Sequence, residues 1–505
     1  MTRSRTRPEM IVVGAGSAGC VVARVLAERG HTVLLLEAGE ARGDLQVRRP
    51  ARYLELFGSA IDWGHQTERQ SGLAGRVLAQ PRGRGPGGSS QLNAMIWMPP
   101  REEDLQRWHQ LGGSAWSPVA LRASLQQVTT WVRPEAPRWL SPSSERFLAA
   151  IPSLGVERLT HWRMNRRGVR TTAADVLRES PAVARVEHRV GLVSRLEIAD
   201  QRVIGVRIDN GQGGEETVHA ERGVVLCGGA LASPAILQRS GIGKAESLRR
   251  LGIERRRDCP AVGANLMDHL AMPVIFTTRE TSPFTMPTAP RDVARWQHAG
   301  SGPLTSNIAE VGGFAEVAVE ARDQPTPMQF HVTPTDYLRF PGQVKRPAMT
   351  IAVTDTYPQS RGEVWITASD PRAPLRIDPG YLQATGDLET LLAGVRLARR
   401  LACETTLSEW LVAEQTPGSS RRDDEPLAAA VRRFAQTLYH PQGTCRFAGA
   451  DQPTSHGVVA SSLKLSGFDG CWIIDASVLP TPSAANPNAT VMALGHHFAS
   501  QCVSS

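Results

Sequence analysis

Six consecutive residues constrain this chain more than any others: Gly14-Ala15-Gly16-Ser17-Ala18-Gly19. They follow a short apolar stretch, Met10 to Val13, and lead into Cys20 to Arg29, where Ala and Leu recur at helical spacing. Gly30 ends that helix, and His31 to Glu37 reads as a second buried strand, so the segment is one βαβ unit. In the GxGxxG spacing the first glycine permits a tight turn, the second lets the backbone approach a diphosphate, and the third allows close helix packing. The helix N-terminus offers free N–H groups and the positive end of a dipole to the same anion. Glu37 ends the second strand about 20 residues on, where a carboxylate accepts hydrogen bonds from ribose hydroxyls and repels a 2′-phosphate. A purely structural glycine turn is the bland alternative, and the flanking strand and helix weigh against it. The motif does not separate a flavin dinucleotide from a nicotinamide one.

The rest of the chain is read around that unit. A length of 505 residues with 41% hydrophobic content supports a large core and more than one domain. The region from Pro50 to Arg84 is irregular, and Glu145 to Ile151 is expected to be helical. Val186 to Asp209 alternates apolar and polar residues as antiparallel strands do. Gly223 to Cys227 is a further buried strand before a Gly-Gly turn and a helix. Beyond Leu270 the pattern changes. Strand-like segments at Met328 to Val332, Met349 to Thr354 and Gly362 to Ile366 alternate with Pro-rich turns, and Asp387 to Ala402 is an amphipathic helix. At Cys471 the earlier style returns with a strand, a loop and a helix from Ala489 to Ser500. The expected fold class is therefore α/β: a Rossmann-like nucleotide domain, discontinuous in sequence, bracketing an inserted, mainly antiparallel domain. The expected division is 1–269 and 439–505 for the nucleotide domain and 270–438 for the insertion, with segments near 50–80 and 130–170 contributing to the substrate side.

Charge and cysteines narrow the class. The formal net charge is +8, but the basic residues are nearly all Arg, scattered among Asp and Glu rather than clustered with aromatics, so no nucleic-acid surface is expected. Seven cysteines without a CxxC pair argue against a disulfide framework and a zinc site, and point to a reducing, cytoplasmic setting. The basic start, Met1 to Glu9, precedes too short an apolar stretch for a secretory signal. No apolar run of about 18 residues predicts a membrane span.

Further stretches settle which dinucleotide is meant. Gly83-Arg84-Gly85-Pro86-Gly87-Gly88-Ser89-Ser90, continuing to Asn93 and Trp97, resembles the first signature of the glucose-methanol-choline oxidoreductase family. Gly229-Ala230-Leu231-Ala232-Ser233-Pro234 to Gly243 is similar to its second. Val262-Gly263 through Asp268-His269-Leu270, then Tyr439-His440-Pro441-Gln442-Gly443-Thr444-Cys445, Asp475-Ala476-Ser477 and Asn486-Pro487-Asn488, resemble later segments in the family's order. The resemblance spans nearly the whole chain. It implies an FAD-dependent enzyme that oxidises an alcohol to a carbonyl, taking a small-molecule alcohol and passing electrons to oxygen or another acceptor. A lyase or photodecarboxylase on the same fold is the alternative.

The resemblance also implies site residues. FAD contacts are expected at Gly14, Gly16, Ser17, Ala18, Gly19, Glu37, Ala38, Arg84, Gly87, Gly88, Ser89, Asn93, Ala94, Met95, Val190, Gly228, Asp475, Ala476, Asn486 and Pro487, with Val190 touching the adenine through its backbone. His440 and Asn486 are the expected reacting pair. Imidazole, with an ordinary pKa near 6.5, accepts the hydroxyl proton, and an amide donates to the developing alkoxide without competing as a base. Leu92 stands where some members carry a histidine joined to the flavin, so FAD is expected to be non-covalent. His496 and His497, about 100° apart on a helix, are a poor metal pair and read as structural.

Overall fold

The computed structural model describes residues 7–41, 45–209, 214–282, 284–286, 288–449 and 457–502; most of the basic start, residues 1–6, lies outside them. Continuous apolar runs make the first sheet. Met10–Val13, Val33–Glu37 and Gly223–Leu226 are buried on both faces, as parallel strands between helices must be. Five strands lie side by side in the order Cys471–Ile473, Gly223–Leu226, Met10–Val13, Val33–Glu37, Val186–Val190, and every pairing is parallel. Thus the Cys471 strand, far along the chain, completes the sheet begun at Met10. Helix Ser17–Glu28 follows the glycine turn, and helix Pro487–Ala499 packs on it so closely that a Cβ on Gly495 would stand 3.2 Å from the Ala18 carbonyl.

One expected pairing is corrected. Val186–Val190 is not antiparallel: it runs parallel to Val33–Glu37, with Val190 opposite Glu37. As an edge strand it exposes part of its surface, which gives the alternation normally left by a half-solvated antiparallel strand. The antiparallel expectation holds for Leu192–Ala199 and Arg202–Asp209, which form a meander with Glu215–His219. The C-terminal helix starts at Pro487, two residues earlier than read from the sequence.

The second large sheet is antiparallel. Leu411–Thr416, Leu270–Thr278, Ala348–Asp355, Thr326–Thr333, Val311–Val317 and Glu157–Thr160 follow one another across it. Its strands alternate between two environments. Met328, Phe330 and Val332 point to the core shared with helix Thr385–Glu404, through Leu391, Val395 and Leu401. The other parity, Gln329, His331 and Thr333, faces the opposite way, toward the first sheet. Two apolar cores result, one around each sheet.

Candidate active site

Between the two sheets lies a cavity of about 680 Å³ that runs from the glycine turn to His440 and Asn486. Every residue that the sequence singled out for a site lines it except Gly19, Arg84, Gly87 and Val190. Each exception has a visible position. A Cβ on Gly19 would stand 1.8 Å from the Gly14 carbonyl oxygen, so this glycine closes the strand–helix turn. Gly87, at φ +105°, donates its N–H to the Ala15 carbonyl and ties two loops together. Arg84 is exposed and lies over the Trp63 ring. The Val190 side chain is 48% exposed, and the neighbouring wall is made by Gly191, Leu192 and Val193.

The glycine end has the donor set of a dinucleotide site. Gly14 takes φ +99°, and a Cβ there would meet the Cys227 carbonyl at 2.6 Å. Gly16 is different: a Cβ would meet nothing within 4 Å, yet the residue lines the cavity. Protein packing therefore requires glycine at positions 14 and 19, whereas position 16 is bare toward the space a ligand would take. Helix Ser17–Glu28 starts here with no side-chain cap and no acidic residue in its first turn, which leaves its N–H groups and dipole for an anion. Glu37 is buried and already accepts three backbone N–H groups, from Ala15 and Gly39 at 3.0 Å and Gly85 at 2.9 Å. Beyond any ribose contact, its carboxylate pins the glycine turn to the loop carrying Gly85–Ser89. Asp475 does the same on the far side, accepting from Gly229 N–H (2.8 Å), the Ser233 hydroxyl (2.6 Å) and Ser477 N–H (2.8 Å). Burial pushes its carboxyl above the usual range.

The other end is built from side chains. Asp268 accepts the His440 backbone N–H at 2.8 Å through one oxygen; through the other it accepts from Gln80 (2.9 Å), the Thr437 hydroxyl (2.6 Å) and the Tyr381 hydroxyl. Tyr439, beside His440, is held at φ +65°, a conformation a bulky residue takes only when its surroundings impose it. The His440 ring faces the cavity, with its Nδ1 3.0 Å from Nδ1 of His269 and its Nε2 3.2 Å from Nδ2 of Asn486. His269 is wholly buried, and its Nε2 lies 3.1 Å from the Thr356 carbonyl oxygen.

These contacts fix where the protons are. A carbonyl oxygen only accepts, so His269 carries its proton on Nε2. Burial lowers the His269 pKa, so the ring is neutral and its Nδ1 is a lone pair. His440 must then donate from Nδ1, which leaves its Nε2 as a lone pair directed at Asn486 and the cavity. The Asn486 amide is oriented to match: Nδ2 points to His440, and Oδ1 faces Nε2 of Gln329 at 3.5 Å. Burial first, then the neighbouring imidazoles His269 and His331 and the Arg82 cation, hold the His440 pKa well below 6.5. At neutral pH His440 is thus an uncharged base with its accepting nitrogen turned to the cavity. Sequence reasoning picked out His440 and Asn486 but gave no role to His269, Gln329 or His331. Asp268-His269 stood in a quoted motif, and only the fold shows that its imidazole meets His440.

Other expectations find their places here. Leu92 is buried and presents only an aliphatic side chain to the cavity. His497 bonds the Ala115 carbonyl at 2.8 Å, and His496 packs edge-on against Trp131. All seven cysteines are free thiols. Among the described residues no helix is long and apolar enough to cross a membrane, and no group of three or more acidic, His or Cys side chains is arranged to hold a metal ion.

Comparison with known proteins gives the family. Sequence models described as GMC oxidoreductase match residues 8–271 and 358–495. The chain is 33% identical to an uncharacterised GMC-type oxidoreductase of Mycobacterium bovis, covering 98% of this chain and 99% of that one. It is 31% identical to an alcohol dehydrogenase [acceptor] of Pseudomonas putida, covering 97% and 95%. Among solved structures it is similar to pyridoxine 4-oxidase from Mesorbium loti, with a TM-score of 0.84 and 28% identity over 98% of this chain and 99% of that one.

Proposed function

The chain belongs to the GMC oxidoreductase family, and from that premise we propose that it is an FAD-dependent enzyme oxidising an alcohol to a carbonyl, with His440 as the base. The observation that carries the reading is the proton order along Thr356–His269–His440–Asn486, which leaves the His440 Nε2 lone pair open to the cavity. Bound FAD supplies the acceptor for the hydride, at flavin N5. The chain's own residues do the rest. A substrate hydroxyl between His440 and Asn486 donates its proton to His440 Nε2. Asn486 Nδ2 turns from the imidazole to the substrate oxygen, where negative charge grows. His269 acts through His440 as a positioning residue, holding the one tautomer that accepts a proton from the cavity side. The N-terminus of helix Pro487–Ala499 has no side-chain cap and no acidic residue in its first turn, so its positive end favours negative charge on the reduced cofactor.

The diphosphate is assigned to the Gly14–Ala18 turn, where Gly16 leaves room. With Leu92 at the position of the linking histidine, FAD is held without a covalent bond. In this reading the nucleotide domain is 1–269 with 439–505 and the substrate domain 270–438, with segments near 50–80 and 130–170, Glu157–Thr160 of the second sheet among them, contributing to the substrate side. A lyase acting on a hydroxyl would use the same base but leave the flavin oxidised, and a light-driven decarboxylase would need illumination, so reduction of the flavin in the dark separates oxidation from both. The test is anaerobic and dark: purified FAD-loaded protein mixed with a panel of primary alcohols. Bleaching of the flavin absorbance is expected with at least one of them. Reoxidation by oxygen compared with an artificial acceptor then identifies the electron acceptor. A flavin that stays oxidised with every alcohol would contradict the reading.

A further inference from the structure

His331 lines the same cavity, is only 5% exposed, and among the described residues has no hydrogen-bond partner on either ring nitrogen. A neutral imidazole carries one donor and one acceptor, and leaving a buried polar atom unpaired costs stability. Such an orphan needs a reason. The residues directly across the sheet are Gly312 and Ala352, the smallest available, so neither neighbouring strand offers the ring a side-chain partner. The nearby wall at Pro273, Ala309 and Ala352 offers no side-chain donor. Thr333 and Thr350, further along the floor, both spend their hydroxyl protons on the Thr335 carbonyl. His161 packs 5.2 Å away, but its Nδ1 donates to the Ala309 carbonyl and its Nε2 makes no bond to His331.

Position makes the orphan useful. Gln329 and His331 sit on the same face of one strand, about 7 Å apart along it. Gln329 reaches Asn486 of the reacting pair. The free imidazole is therefore one strand repeat away from where the hydroxyl reacts. Among the described residues the acidic ones lining the cavity are Glu37 and Asp475, both at the nucleotide end and both committed to backbone N–H groups, so these residues give the floor no counter-ion for a cationic substrate.

Resting on the alcohol-oxidation reading, we propose that His331 is the specificity anchor of the substrate site: it hydrogen-bonds a second, uncharged polar group, such as a hydroxyl, carried by the alcohol one strand repeat from its reacting carbon. Substrates of this class are compact alcohols with a neutral polar substituent at the far end, and apolar alcohols of the same shape leave His331 unpaired.

The test separates binding from turnover. Holoenzyme is titrated, in mildly acidic buffer that keeps the phenol protonated, with 4-hydroxybenzaldehyde and 4-methylbenzaldehyde, product-like ligands of nearly equal shape, and the flavin absorbance shift is followed. The hydroxy compound is expected to bind at least about tenfold more tightly, as a site built for a hydrogen bond rejects the analogue lacking it. In His331→Leu the two should bind within about twofold of each other, whereas His331→Asn, which keeps a donor and an acceptor, should retain part of the preference. Equal binding in the parent protein, or a preference that survives unchanged in His331→Leu, overturns the proposal. The same pair as benzyl alcohols is then tested for anaerobic flavin bleaching. Discrimination between the aldehydes while no alcohol, in this pair or in the panel above, bleaches the flavin leaves the anchor standing and removes the oxidation reading. Bleaching without discrimination does the reverse.

Discussion

The two ends of the cavity are built from different materials. At the nucleotide end the protein presents backbone: N–H groups of the Gly14–Ala18 turn and the start of helix Ser17–Glu28, braced by the buried Glu37 carboxylate. At the substrate end it presents side chains brought together from four distant segments: Asp268 and His269, Gln329, His440 and Asn486 are linked by contacts, and His331 stands one strand repeat beyond Gln329. Backbone can approach a ligand or another backbone this closely only where a side chain is missing, so the first kind of site writes itself into the sequence as spaced glycines. The second kind leaves ordinary residues in ordinary strands, and only the sheet register assembles them. Damage at the two ends should therefore differ in kind as well as degree.

The largest effect is expected where the fold itself needs the missing side chain. Gly19→Ala places a Cβ 1.8 Å from the Gly14 carbonyl oxygen, an overlap that backbone cannot relieve. This variant should give little or no soluble, yellow protein. Gly16→Ala meets no protein atom within 4 Å, so it should fold as the parent does and yet lose most of its FAD. Expression yield, thermal melting and the ratio of flavin to protein absorbance check both. If the two variants behave alike, the separation of fold-requiring and ligand-facing glycines is wrong.

A smaller effect is expected at the substrate end. His269→Ala removes the acceptor that keeps the His440 proton on Nδ1, so part of the population turns its N–H toward the substrate. Flavin reduction should slow on the order of tenfold or more with FAD content unchanged, the consequence of a misassigned tautomer. The pH profile should move as well. Burial and the neighbouring imidazoles lower the His440 pKa, so the parent rate stays level as pH falls through 6.5 and drops only further into acid. Without His269 the inflection should rise toward 6.5. His269→Gln restores an acceptor for His440 and a donor for Thr356, and should recover much of both. Recovery by Gln sharpens the positioning role; equal loss in both variants would reduce His269 to packing.

This contrast also explains what was legible beforehand. The βαβ unit, the parallel sheet and the glycine turn were readable because tight turns and fully buried strands leave short-range marks. Val186–Val190 misled because an exposed edge strand of a parallel sheet alternates like an antiparallel one. His440 and Asn486 were found through the motifs around them, whereas the pattern of their own surroundings carries no mark of their meeting. His269 lies 171 positions before its partner, and nothing local distinguishes it from a histidine satisfied in a core. His331 sits at an unremarkable position in an alternating strand. What singles it out is the absence of partners, a property that only the folded chain has.

The central claim is that His440 Nε2 is the base that receives the hydroxyl proton. Its most direct test is stopped-flow, anaerobic reduction of FAD-replete parent and His440→Ala by the same alcohol at matched pH. Loss of the base should slow reduction by about 100-fold or more, the usual scale for general base catalysis. The flavin content and its visible spectrum should change little, because the imidazole serves the substrate. Equal reduction rates in the two proteins would contradict the account.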